Sequence, residues 1–87
     1  MSDYTEARDV APDASAEVLE AMLFEALDAA RFVARSARIW LHRREYPYVR
    51  REVTDVIGYS QRALVLFERL VALLAAERKP SEEVPDA

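Results

Sequence analysis

Cysteine is absent from this 87-residue chain, and histidine and glycine each occur once. Without cysteine there is no disulfide staple and no thiolate metal site. His42 alone cannot supply a multi-histidine metal centre within one chain, and Gly58 alone cannot supply a glycine-rich phosphate loop. No cofactor is therefore expected. Long apolar runs are also missing. The longest uncharged stretch in the second half, Leu70 to Ala76, falls well short of the roughly 18–20 residues of a membrane span. The first six residues, Met1 to Glu6, are acidic where a secretory signal would be basic and then apolar. The expected location is cytoplasmic, away from any membrane.

What the chain does have is apolar and charged residues in helical rhythm: 52% hydrophobic and 32% charged, the balance of a helical bundle rather than of a disordered segment. A chain this short has little room for a core. With disulfides and metal excluded, association of chains is the remaining way to enlarge it.

Residues 1–12 are poor in large aliphatics and read as a disordered acidic tail, as do residues 80–87. Residues 13–79 read as one helical hairpin: a helix over 14–45, a turn at 46–47 and a helix over 48–79. Asp13 or Ser15 is the expected N-cap, with Glu17 and Glu20 placed to suit the positive end of the helix dipole. Pro47 fits the first turn of the second helix, where its missing N–H costs nothing, and should hold Tyr46 outside the helical region. So short a break folds the helices back antiparallel.

The first helix carries Leu19, Ala26, Val33 and Trp40 at seven-residue spacing, flanked by Leu23, Ala30 and Ala37. The second carries Val49, Val53, Val56, Ser60, Ala63, Phe67, Leu70 and Leu74, flanked by Ile57, Leu64 and Val71. Sustained heptads belong to helices packed at a shallow angle. Each helix presents roughly half its circumference as apolar surface, more than one neighbour covers. The fold class expected is therefore all-α: an antiparallel two-helix hairpin that dimerises into a four-helix bundle. Leu19, Leu23, Ala26, Ala30, Val33, Ala37, Trp40, Val53, Val56, Phe67, Leu70 and Leu74 are the expected core and oligomer interface. Gly58, unfavourable within a helix, marks a close helix–helix contact in preference to a hinge.

Charge is distributed unevenly. Residues 1–30 hold eight acids and one arginine, a net −7; residues 31–51 hold seven arginines and Glu45, a net +6; the remainder carries −3. Arg43, Arg44, Tyr46, Tyr48, Arg50 and Arg51 gather at the hairpin tip, where arginines could meet phosphates and rings could stack on bases. Arg50 and Arg51 would sit at the positive end of the second helix, which calls for an acidic partner. That partner could be a second copy: antiparallel hairpins would set each basic tip beside the other chain's acidic N-terminal segment. An overall pI near 5.0 argues against a dedicated nucleic-acid binder.

Catalytic constellations are missing. His42 and Glu45 could share a helix face, but no inward glutamates accompany them as a dinuclear site would require. Ser36 and Ser60 stand at no useful spacing from His42. The functional expectation is a non-enzymatic interaction and assembly module. It self-associates, dimer favoured, and docks on a larger protein partner through Phe24, Phe32, Ile39, Leu66 and Leu73. The alternative is polyanion binding, RNA or DNA, at the Arg/Tyr tip.

Overall fold

The structure, a computed structural model, describes residues 10–78; the expected tail over 80–87 and most of that over 1–12 lie outside the described residues. Two helices, α1 (Ala16–His42) and α2 (Tyr46–Arg78), pack against each other as a hairpin. The fold is all-helical, as its heptads predict.

Ser15 is the N-cap of α1. Its backbone is extended, with φ −75° and ψ 166°, and its Oγ accepts the Val18 N–H at 3.2 Å. Asp13 lies outside the helix. The described part of the N-terminal segment is built into the hairpin and is not a free tail. Val10 is only 6% exposed and joins the core cluster with Leu19, Ala26, Ala63 and Leu66. Arg69 Nη2 donates to the Ala11 and Pro12 carbonyls at 2.9 and 3.2 Å, clipping this segment to α2. The cause is a mismatch of lengths: α2 is six residues longer than α1, and the approaching chain covers part of the excess.

The turn falls at Arg43–Glu45, earlier than the position Pro47 suggests. Arg43 caps α1, and Arg44 then takes a left-handed φ of 59°. This reversal lets the Glu45 N–H reach the Trp40 carbonyl at 3.0 Å and the Arg44 N–H reach that of Leu41 at 3.0 Å. Those bonds form a Schellman closure, the one glycine normally makes. The Glu45 carbonyl at once accepts from the Tyr48 and Val49 N–H groups and starts α2. Tyr46 is thus the first residue of α2, not a residue outside it. Its conflict with the Pro47 ring is a bias that the closed turn outweighs. Arg50 and Arg51 fall in the second turn, away from the exposed amides, so their conflict with the helix dipole is weaker than expected.

Between the helices runs one stripe from each, in alternating steps of four and three. On α1 it is Leu19, Leu23, Ala26, Ala30, Val33, Ala37 and Trp40, all buried or partly buried. On α2 it is Glu52, Val56, Tyr59, Ala63, Leu66, Leu70 and Leu73. Gly58 is buried with an ordinary negative φ, in keeping with close helix contact. The chain measures 62 × 26 × 15 Å, one helix thick in its shortest dimension, and among the described residues both broad faces are open.

Candidate assembly surface and hairpin tip

The stripe of α2 that meets α1 lies one residue away from much of the expected seam. Leu66, assigned to an outer docking surface, has no exposed area, and Leu73 packs against the core. Conversely, Val53, Phe67 and Leu74 are 44–50% exposed, outside the contact with α1. Hydrophobicity could not choose the phase, because α2 bears two apolar stripes side by side. One step forward from every residue that faces α1 gives Val53, Ile57, Ser60, Leu64, Phe67, Val71 and Leu74. This second stripe has the same four-three spacing, and all of its members are exposed.

The geometry of the pair places this stripe. Two right-handed helices running in opposite directions rotate oppositely for a viewer along the axis. One step forward from the contact stripe therefore leads to the same broad face on both helices. On α1 that step gives Phe24, Leu27, Ala34 and Leu41, interspersed with Glu20, Arg31 and Arg38. Phe24, Leu27 and Leu41 are at least half exposed. One broad face is thus largely apolar. One step back reaches the other face, where Val18, Phe32 and Ile39 of α1 sit beside Arg51, Asp55, Arg62 and Arg69 of α2. Phe32, 73% exposed, is the most exposed large hydrophobic side chain described. The expected docking set is therefore dispersed: Phe24 on one face, Phe32 and Ile39 on the other, Leu66 and Leu73 between the helices.

The tip is organised around Trp40. Its ring lies 4.7 Å from that of Tyr48, centroid to centroid and tilted by 30°, while the Arg43 guanidinium sits 5.7 Å from the indole centroid. Tyr46 and Tyr48 remain about half exposed, and Arg43, Arg44, Arg50 and Arg51 all face solvent. Two shallow open depressions flank the end of α1. One of about 270 Å³ is lined by Arg38, Leu41, His42 and Arg44; another of about 220 Å³ by Arg35, Arg38, Ile39 and His42. Among the described residues their lining is cationic and contains no carboxylate or hydroxyl. His42 ends α1 and Glu45 lies in the turn, so the two share no helix face. Ser60 stands on the outer stripe while Gly58 is buried, so they do not line one cleft.

Among the described residues no group of three His, Asp or Glu side chains could hold a metal, and no helix is long and apolar enough to cross a membrane. No family model matches the chain. Neither the curated proteins nor the solved structures contain a significant match to it.

Proposed function

We propose that the chain is a non-enzymatic assembly module: a helical hairpin that self-associates and presents its remaining surface to a larger protein partner. One observation carries this reading. α2 has a second heptad stripe, apolar except for Ser60 and about half exposed, beside the one it spends on α1. Helices that carry two such stripes contact two neighbours, and the single chain supplies one. The core supports the same view, for Leu19 and Leu66 are the only large side chains buried almost completely among the described residues. So thin a core is marginal without association.

Sedimentation equilibrium at low and high salt tests the proposal. A dimer that persists in high salt is expected, because apolar burial is not screened by ions whereas surface charge pairing is. A monomer at every concentration would overturn it. For the protein partner, Phe32→Asp should leave the dimer intact and abolish co-purification.

The second reading, polyanion binding, has the open cationic depressions around His42 in its favour. Against it, Tyr48, one of the two rings that base stacking would use, already lies against the Trp40 ring, and Arg43 sits over that ring too. Anisotropy with labelled single- and double-stranded oligonucleotides at low salt decides it; binding should fall steeply as salt rises if phosphates are contacted.

A further inference from the structure

We infer that the occupant of the exposed α2 stripe is the same stripe of a second copy, running antiparallel, with the two-fold axis beside Leu64. This rests on the self-association reading and adds the surface and the orientation.

The stripe is suited to its own reverse. Leu64 lies at its middle, so turning one helix end for end about that point sets Val53 against the partner's Leu74 and Ile57 against the partner's Val71. The one polar member, the small Ser60, then faces the partner's Phe67, the bulkiest member. Both ends of the contact remain apolar, and no charge is buried along it.

The hairpin register extends the match to α1. Trp40 is level with Tyr48, and counting away from that contact along both antiparallel helices brings Leu64 level with Phe24 and Glu25. An axis there brings Phe24 beside the partner's Leu27. It also brings Glu20 beside the partner's Arg31, opposite charges at the edge of an apolar centre. Pairing the same two stripes in parallel offers neither contact, since it places like residues side by side.

Long-range charge points the same way. Antiparallel hairpins carry each arginine tip, Arg43, Arg44, Arg50 and Arg51, to the end of the partner that holds Asp13, Glu17 and Glu77. Parallel hairpins would place two such tips together, and like charges juxtaposed at an interface are strongly unfavourable.

The chain's lack of cysteine makes a direct test simple, because any introduced thiol is unique. Leu64→Cys, Val53→Cys and Leu74→Cys variants are oxidised, or treated with a short bismaleimide, after sedimentation shows their association state. Leu64→Cys should cross-link to itself. Val53→Cys and Leu74→Cys should each fail alone and cross-link when mixed. If Val53→Cys and Leu74→Cys each cross-link to themselves, the pairing is parallel and the inference is wrong. A dimer in which Leu64→Cys stays uncross-linked while Phe32→Cys cross-links would move the interface to the other face, overturning the inference but not self-association. A monomer throughout would overturn both. As an independent readout, Phe67→Glu should weaken the dimer by about 100-fold or more, since it buries charge at the contact, with helix content by circular dichroism unchanged. Unaltered association of Phe67→Glu would also sink it.

Discussion

Arg44 holds a left-handed backbone, φ 59°, at the position where a helix closed in this way normally places glycine. A side chain there crowds the following carbonyl at a cost of about 1 kcal/mol. Replacing Arg44 with glycine should raise the unfolding free energy by about 0.5–1 kcal/mol, the relief partly offset by glycine's greater freedom in the unfolded chain. Arg44→Ala, which removes the charge and keeps the Cβ, should give no such gain in urea unfolding. Equal gains from both would mean that charge crowding at the tip matters, not backbone geometry. The same residue explains why the turn was not legible in advance. Proline was the visible punctuation, yet it is accommodated inside α2, while the residue that stops α1 is an arginine and carries no turn signature. Glu52 is the second site of residue-scale strain. It lies on the stripe facing α1, and its Oε1 is buried with no hydrogen-bond partner. Glu52→Leu should stabilise the hairpin by about 1 kcal/mol in the same assay, because an unsatisfied buried acceptor is replaced by packing. A loss of stability would mean that the carboxylate has a partner in solution.

At the scale of the element, helix type, antiparallel pairing and the α1 stripe all follow from spacing, because only one run of α1 is continuously apolar. The phase of α2 does not follow. Its two stripes differ by one step, and the one that meets α1 contains Glu52 and Tyr59, while the exposed one reads as the more hydrophobic. Pattern favours the wrong stripe in places, and hydrophobicity alone does not separate the two. Gly58 gives this phase a test by sign. In an exposed helix, Gly→Ala adds about 0.5–1 kcal/mol of stability through propensity. Gly58 is buried, so Gly58→Ala should instead destabilise the hairpin, the added methyl forcing the helices apart. Thermal melts of the variant and parent at matched concentration measure it, and a rise in Tm would show that the helices do not approach closely there.

At the scale of the whole molecule, a plate one helix thick has two broad faces, and they differ in kind. One carries the outer stripe of α2, apolar but for Ser60, with Phe24, Leu27 and Leu41. The other pairs Phe32 and Ile39 with charged side chains of α2. Covering the first by a second copy leaves the second for other contacts, so a single substitution on each face should separate assembly from recruitment. Stability provides the measurement. When folding and association are linked, Tm depends on protein concentration, since mass action favours the associated folded form. The parent chain should therefore melt at a higher temperature as concentration rises over two orders of magnitude. Phe67→Glu should melt lower and with no such dependence, and Phe32→Asp should keep the dependence of the parent. Those three slopes assign the faces. Were Phe32→Asp to lose the concentration dependence and Phe67→Glu to retain it, the face bearing Phe32 would be the one that holds the chains together. The stripe on α2 would then be the surface left for another protein.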